Sequence, residues 1–410
     1  MHAQLPAYMV PRRIIGLDAL PVTANGKVDR GALEAYAQES GTRPAAEAPR
    51  DDIERFLAEV WAELLPNPPV GRDDDFFALG GNSLLGVRLM SRVRKGLGAT
   101  LPLSVLFTHS TVAAMAEAVR DGRAGRTTLV PMASGGTGPT SYWIHPVGGD
   151  VMCYRDVARL LGGPVTGVQV PDGPASGTGL AGLSGLSGLA DLYADAIAAD
   201  ATGPEVRIAG WSMGGVLALE VAERLSARGL TVAPVIALDL MEHPDARTDE
   251  PSHADLLAWF ARDVAQVAGV PDPLAGFDPE QADDPVHAVT ERLRGCGLLG
   301  VDTDDETLDA LLSRFTANAR ALAAHRPGTY TVPAVLIRAR EGATEEVTAA
   351  WAEHLSGPVT VHVLDGDHYS VLRPDRIEAL TSLVRAAWDI PDFRKANPSS
   401  GQHRPERTSS

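Results

Sequence analysis

Gly210-Trp211-Ser212-Met213-Gly214-Gly215 is the stretch that decides the fold. It has the form G-x-S-x-G-G and stands between a short apolar run carrying Val206 and Ile208 and an amphipathic helical pattern. A serine in that setting sits on a sharp strand-to-helix turn, a nucleophile elbow, which leaves its hydroxyl exposed above the end of a sheet strand. The glycines are steric requirements, because a side chain there would collide with the following helix. Ser212 is therefore the candidate nucleophile. The rest of the chain has to supply its base, an acid to orient that base, and a substrate.

Around the elbow, from about residue 140 to 390, short β-rich runs alternate with helical ones. That alternation argues for a mostly parallel sheet with helices on both faces. Strands are expected at Tyr142–Ile144, Val206–Ala209, Val235–Leu238, Ala334–Ile337 and Val359–Val363, the last alternating at Val359, Val361 and Val363. Between Pro251 and His325 the pattern is helical. Leu257, Phe260, Val264 and Val267 make one face, and Leu308, Leu311, Leu312, Phe315, Ala319 and Leu322 another. A helical block between two sheet strands is expected to form a lid, at about 245–325. The low-complexity run Gly179–Gly188 is expected to be a flexible loop.

A serine nucleophile needs a base within hydrogen-bond reach and an acid to hold that base. In α/β-hydrolases the chain order is Ser, then Asp or Glu, then His, each on a loop after a strand. Asp239 follows Val235-Ile-Ala-Leu238, and His368 lies in Leu364-Asp-Gly-Asp-His-Tyr-Ser370 after the last strand, so both fall in that order. The oxyanion hole is expected from two backbone N–H groups. One belongs to Met213, after the nucleophile, and the other to Val147 in the loop Ile144-His-Pro-Val-Gly-Gly149. Plainer readings exist: Asp239 as a helix N-cap, and His368 as one surface histidine among 11. Asp365 and Asp367 are closer to His368 in sequence, but neighbours rarely turn a carboxylate back onto the adjacent ring. His145 precedes the elbow and is expected to be structural, and Cys153 a packed thiol. The joint occurrence of elbow, ordered acid, ordered base and glycine-rich loop favours the triad over each separate alternative.

The bulk numbers bound the partners. The chain has 410 residues, 44% of them apolar and 22% charged, with 36 basic against 53 acidic residues and a net charge of −17. Such length suggests two or three domains. An acidic chain without a basic run is a poor nucleic-acid binder. No apolar run approaches the ~20 residues that span a bilayer. No charged segment followed by an apolar core marks a signal peptide, so a cytoplasmic location is expected. The 2 cysteines form neither a metal spacing nor a disulfide framework, and no metal is expected.

Four regions and a tail are expected: 1–48, loop-rich; 50–121, helical; 122–138, a glycine-rich linker; 139–390, the sheet region; and 391–410, a disordered tail. The first helix of the second region places Ile53, Phe56, Leu57, Val60, Trp61 and Leu64 on one face, and its last does so with Val112, Met115, Ala116 and Val119. Between them runs Asp73-Asp-Asp-Phe-Phe-Ala-Leu-Gly-Gly-Asn-Ser-Leu-Leu-Gly86, with Ser83 opening a helix whose Leu85, Leu89, Val93 and Leu97 point inward. Ser83 could be a simple helix N-cap. A cap, however, would not need the preceding Asp-Phe-Phe-x-Leu-Gly-Gly.

That run resembles the phosphopantetheine attachment motif of peptidyl carrier proteins. The resemblance implies a small four-helix carrier domain, with Ser83 as the attachment site for 4'-phosphopantetheine installed by a phosphopantetheinyl transferase. Leu5-Pro-x-Tyr-Met-Val-Pro11 and Leu20-Pro-Val-Thr-Ala-Asn-Gly-Lys-Val-Asp-Arg30 look like the C-terminal end of a nonribosomal peptide synthetase adenylation domain. Lys27 then matches the lysine that contacts the acyl-adenylate. This α+β remnant is too short to build an ATP site, so Lys27 is expected to be inactive by itself. His145-Pro-Val-Gly-Gly149, Gly210–Gly215, Asp239 and Gly366-Asp-His-Tyr369 are similar to the terminal thioesterases of the same synthetases.

Together the resemblances imply the releasing end of such a synthetase. An α/β-hydrolase thioesterase with a helical lid takes a peptidyl or aminoacyl thioester from Ser83 onto Ser212, then hydrolyses or cyclises it. Upstream synthetase modules are the implied partners. An editing thioesterase, or a non-catalytic docking fragment, is the alternative implied function.

Overall fold

The computed structural model describes residues 21, 28–29, 47–66, 68, 70–122, 127–135, 138–171, 185–240, 250–300 and 303–389. Lys27, nearly all of the expected adenylation remnant and the tail lie outside the described residues.

A helical unit comes first, with helices α1 (Asp52–Leu64), α2 (Ser83–Leu97), α3 (Val105–Thr108) and α4 (Val112–Asp121). Caps set the ends of α1, α2 and α4: Asp51, Asn82 and Thr111 each accept a backbone N–H with their side chains. The expected apolar faces converge, with Leu57, Trp61, Leu89, Val93, Val112 and Met115 buried in one core together with Phe76.

The sheet region holds β1 (Leu129–Ala133), β2 (Ser141–Ile144), α5 (Arg155–Leu161), β3 (Val165–Val168), α6 (Gly185–Asp200), β4 (Glu205–Trp211), α7 (Met213–Ala227), β5 (Thr231–Val232) and β6 (Val235–Leu238). After β6 come α8 (His253–Ala268), α9 (Pro285–Gly295) and α10 (Asp305–Ala324), and then β7 (Ala334–Ala339), α11 (Glu345–Glu353), β8 (Val359–Leu364) and α12 (Ile377–Asp389). The strand order is β1-β3-β2-β4-β6-β7-β8, with β5 paired to β4. All pairings are parallel except β1 with β3. The central strands are buried on both faces, as a parallel sheet between two helical layers requires. Tyr142, Ile144, Val206, Ile208 and Leu336 join one core with α6 and α7. Trp143, Ala209, Trp211, Ile236 and Ile337 join the other with α5 and α12.

All five expected strands are present, and three further ones were not anticipated. Leu129–Ala133 falls inside the expected linker 122–138. It is an edge strand carrying Pro131, whose missing N–H is tolerated there. Val165–Val168 carries Gly167, a weak strand former. A Cβ at Gly167 would lie 2.7 Å from a Val151 methyl, so close packing fixes that choice. The expected loop 179–188 is also corrected in part. Gly185–Gly188 begins α6, and Leu186, Gly188 and Leu189 are buried there. On the edge strand β8, Val361 and Val363 are exposed, so that alternation does not mark a buried face. The helical block lies between β6 and β7 as expected and has its own core of Leu256, Leu257, Phe260, Leu293, Leu308, Leu312 and Phe315. Val267, assigned to its apolar face, is 49% exposed, because the buried stripe runs through Leu256 instead.

Candidate active site

The elbow is as tight as the sequence implies. Ser212 links β4 to α7 with φ 58° and ψ −127°, and its N–H donates to Leu238 O at 2.9 Å. A Cβ on Gly210 would lie 2.0 Å from Gly214 O, and one on Gly214 would lie 2.2 Å from Ile144 O. A Cβ on Gly215 would meet Leu240 at 2.6 Å. Two of these three clashes are with backbone, which cannot yield as a flexible side chain does.

Asp239 follows β6 with φ 47°. Among the described residues, Ser212 and Asp239 are the non-glycine residues with positive φ. Such backbone strain clusters at functional sites. The Asp239 carboxylate is 1% exposed and fully engaged. Its Oδ1 accepts the N–H groups of Ala339 (2.7 Å) and Ala343 (3.2 Å), and its Oδ2 accepts Nδ1–H of His368 at 2.7 Å. A Cβ on Gly342 would stand 2.3 Å from Oδ2, so the loop after β7 closes over the acid only with glycine there. Asp239 is thus no helix cap among the described residues.

His368 is held on its other sides by aromatic rings. Trp211, next to Ser212, lies with its ring centroid 4.8 Å from that of His368, and Tyr369 packs edge-on at 5.0 Å. Asp367 does not reach the ring. Its Oδ1 accepts the N–H groups of Tyr369 and Ser370 and shapes the His368 turn. Burial raises the Asp367 carboxyl, but the donors at Ser370 and Tyr369 outweigh it and hold the group below its ordinary value. Asp365 pairs with Arg340 at 2.8 Å. Among the described residues no hydrogen bond joins Ser212 Oγ to His368. Such contacts are commonly long without a substrate and tighten in the complex.

The loop after β2 carries the expected oxyanion donor. His145 is fully buried. Its Nδ1 lies 2.6 Å from Pro146 O and its Nε2 2.6 Å from Tyr193 Oη. A carbonyl only accepts, so Nδ1 carries the proton and the Tyr193 hydroxyl donates to Nε2. Burial pushes the ring down to about 4, outweighing the Pro146 hydrogen bond, which keeps it neutral and structural. The N–H groups of Val147 and Met213 have no acceptor among the described residues. Cys153 is half-buried, and burial pushes its thiol well up, as a packed rather than reactive sulfur requires.

The site includes residues with no motif signal of their own. Tyr154 accepts Trp211 N–H (2.9 Å) and donates to Ile144 O (2.7 Å), tying the elbow strand to the β2 end. From the helical block between β6 and β7, Arg314 donates to Gly148 O (2.9 Å), Asn318 donates to Val147 O (2.8 Å), and Asp263 accepts from the Tyr369 hydroxyl (3.2 Å). Burial pushes the Asp263 carboxyl up to about 6, against the lowering effects of that hydrogen bond and of His368.

The second singled-out serine lies on the helical unit. Asn82, not Ser83, caps α2, accepting Leu85 N–H at 3.0 Å. The Ser83 hydroxyl has no hydrogen-bond partner among the described residues. The flanking residues explain themselves. Asp75 Oδ1 caps the turn at Phe77 and Ala78, Phe76 is buried, and a Cβ on Gly81 would sit 2.4 Å from the Phe76 ring. Helix α2 rests on the helical block between β6 and β7. Leu84 packs in the same apolar cluster as Val147, Ser91 Oγ donates to Asp304 Oδ2 at 2.8 Å, and Arg94 pairs with Asp304 and Glu306. Elsewhere Gln169 donates to Ser104 Oγ at 3.0 Å, and the Arg155 guanidinium lies 4.5 Å from the Phe77 ring centroid.

Comparison with known proteins agrees with this division. Residues 140–387 match the family described as "Thioesterase domain", and residues 55–119 match "Phosphopantetheine attachment site". The dimodular nonribosomal peptide synthase of Bacillus subtilis (strain 168) is 30% identical over 403 residues, covering 93% of this chain and 16% of that protein. Tyrocidine synthase 3 of Brevibacillus parabrevis is 32% identical over 265 residues, covering 63% of this chain and 4% of that protein. The chain therefore corresponds to a small part of these relatives. Among solved structures, a four-domain nonribosomal peptide synthetase in its holo form, with AMP and glycine bound, has a TM-score of 0.57 and 28% identity, covering 94% of this chain and 30% of that one.

The helical unit fits the covalent 4'-phosphopantetheine group that its family match indicates. A free hydroxyl opens a 15-residue helix whose cap is supplied by its neighbour. The positive end of that helix favours a phosphodiester. No helix among the described residues is long and apolar enough to cross a membrane. The family match over residues 140–387 and the match over residues 55–119 lead to one conclusion: the chain belongs to the thioesterase domain family and carries a phosphopantetheine attachment site ahead of that domain.

Proposed function

We propose that this chain releases acyl or peptidyl groups at the end of a nonribosomal peptide synthetase, passing them from Ser83 to Ser212. In this reading residues 50–121 are the carrier domain, 122–138 bridge it to the release domain, and 139–390 are an α/β-hydrolase thioesterase with a lid at about 245–325. Residues 1–48 are the end of an adenylation domain with Lys27 idle, and 391–410 are a tail. A phosphopantetheinyl transferase and upstream synthetase modules are the partners. The observation that carries the reading is the docked carrier helix: Leu84, next to Ser83, and Val147 of the β2 loop pack in one lid cluster.

The phosphopantetheine arm supplies the thiol through which the acyl group is presented as a thioester. His368 takes the proton from Ser212 as Ser212 Oγ attacks the thioester carbonyl. Asp239 fixes Nδ1–H of His368 toward itself, leaves Nε2 as the accepting nitrogen, and stabilises the imidazolium that forms. The N–H groups of Val147 and Met213 bind the developing oxyanion. Each such donor is worth about 100- to 1,000-fold in rate. The tetrahedral species collapses, the thiol departs with the proton from His368, and an acyl ester remains on Ser212. His368 then activates water or an internal nucleophile of the acyl chain to free it.

The test loads the full chain with an acyl group, using a phosphopantetheinyl transferase and acyl-coenzyme A, and follows intact mass. The parent should gain the acyl-arm mass and then lose the acyl part. Ser212→Ala should stay loaded, and Ser83→Ala should gain nothing. Repeated acyl release by Ser212→Ala would overturn the triad, and mass gain by Ser83→Ala would move the attachment site.

A further inference from the structure

The loop that offers the Val147 N–H is held in place by three successive carbonyl groups. Pro146 O is gripped from within the loop, by His145 Nδ1 at 2.6 Å and by Gly149 N–H at 2.9 Å. In a trans peptide the C=O and N–H of one unit point in opposite directions. The grip on Pro146 O therefore turns the Val147 N–H away from the His145 side. The next two carbonyls are gripped from outside. Asn318 Nδ2 donates to Val147 O at 2.8 Å, and Arg314 Nε donates to Gly148 O at 2.9 Å. Both residues lie on α10, one turn apart, so that one face of a lid helix reads two adjacent peptide units of the loop.

The fit between helix and loop is close. Gly149 has φ 81°, a conformation that favours glycine, and a Cβ there would lie 2.6 Å from Arg314 Cδ and displace that side chain. Asn318 is completely buried, and its Oδ1 has no partner among the described residues. A buried acceptor without a donor is destabilising. The amide is thus an expensive way to fill that space, and an apolar side chain of similar size would fill it without that cost. What the amide adds is a donor to Val147 O. The opposite amide orientation would set Oδ1 against that carbonyl and is excluded.

We infer that Asn318 and Arg314 are positioning residues of the oxyanion hole: from the lid they fix the two peptide units after the Val147 N–H and so hold that N–H at the reacting carbonyl. The inference rests on the proposed role of Val147 and Ser212. It makes the lid part of the catalytic geometry as well as a cover. A lid helix displaced from the loop releases both carbonyls and leaves only the internal turn to aim the donor.

The test is the second-order rate of Ser212 labelling by a fluorophosphonate, whose P=O oxygen occupies the place of the oxyanion and which needs no knowledge of the natural peptide. It is run on the full chain for the parent, Asn318→Leu, Arg314→Met and Ser212→Ala. Asn318→Leu and Arg314→Met should each lower the rate, by about 10- to 100-fold for Asn318→Leu, less than the roughly 100- to 1,000-fold for losing an oxyanion donor outright. The pH profile of labelling should keep its shape while its plateau falls, because the base is untouched. A helix that merely packs would shift the thermal midpoint and leave the rate below that midpoint unchanged. Both variants within twofold of the parent rate, with folded circular dichroism spectra, would overturn the inference while leaving the triad intact. Labelling of Ser212→Ala at the parent rate would instead overturn the reading beneath it.

Discussion

At the scale of single residues, the site is defined by positions where only one side chain fits. Gly214 has backbone oxygen atoms of Ile144 and His145 within 2.2 and 2.7 Å of where a Cβ would be. Neither can move without displacing β2. Gly214→Ala should therefore cost about 1–3 kcal/mol, the range for overpacking a rigid site, and should also lower fluorophosphonate labelling of Ser212. Gly295, at the end of α9, is the contrast: a Cβ there would meet nothing within 4 Å. Gly295→Ala should be neutral or stabilising by up to about 1 kcal/mol through reduced freedom of the unfolded chain. Urea midpoints of the two variants check both statements, and equal shifts in the same direction would contradict them.

At the scale of elements, the β2 loop is built on a neutral histidine, and that gives it a pH dependence. His145 has its folded value pushed down to about 4 by burial, against an ordinary histidine value of about 6.5. Between those values the unfolded chain binds a proton at this position and the folded chain does not. Stability from this group is therefore complete above about 6.5, falls as pH drops, and levels off below about 4. The loss is on the order of 3 kcal/mol. His145→Asn retains an N–H donor for Pro146 O but does not titrate in this range. Its urea midpoint should vary less with pH between 4.5 and 6.5 than that of the parent. An equal slope in both would remove His145 from the account.

At the scale of the whole molecule, two units are joined through the helical block between β6 and β7. Asp304 caps α10 by accepting Thr307 N–H at 2.8 Å, and the same carboxylate receives Ser91 and Arg94 of α2. The pair is largely enclosed, with side chains 18% and 17% exposed, so it is worth more than a surface ion pair. Arg94→Glu reverses the charge facing Asp304 and Glu306. In a single turnover it should slow acyl transfer from Ser83 to Ser212 about tenfold, the equivalent of losing one charge-assisted contact. Labelling of Ser212 by a small fluorophosphonate should fall less. A transfer rate equal to the parent's would show that this docked arrangement is not the one used in transfer.

Short-range features are legible in the amino-acid sequence alone. The elbow, the phosphopantetheine motif and the order of Ser212, Asp239 and His368 are legible because tight turns and buried strands restrict residue type locally. Four of the five expected strands are legible for the same reason: each is an apolar run buried in the sheet. The fifth, β8, is legible from its alternation of valines, although Val361 and Val363 are exposed on the sheet edge. The edge strand at Leu129–Ala133 and the strand at Val165–Val168 were not, because Pro131 and Gly167 obey edge position and packing rather than strand propensity. Only the tertiary structure showed that Asp239 meets His368, that Trp211 and Tyr369 enclose the ring, and that Asn318 and Arg314 grip the β2 loop. On α10 those two polar residues look like part of a solvated face. Their role depends on a loop more than 160 positions away in the chain. A contact of that separation leaves no periodicity or motif, because it is set by how rigid elements pack and not by what neighbouring residues require of one another.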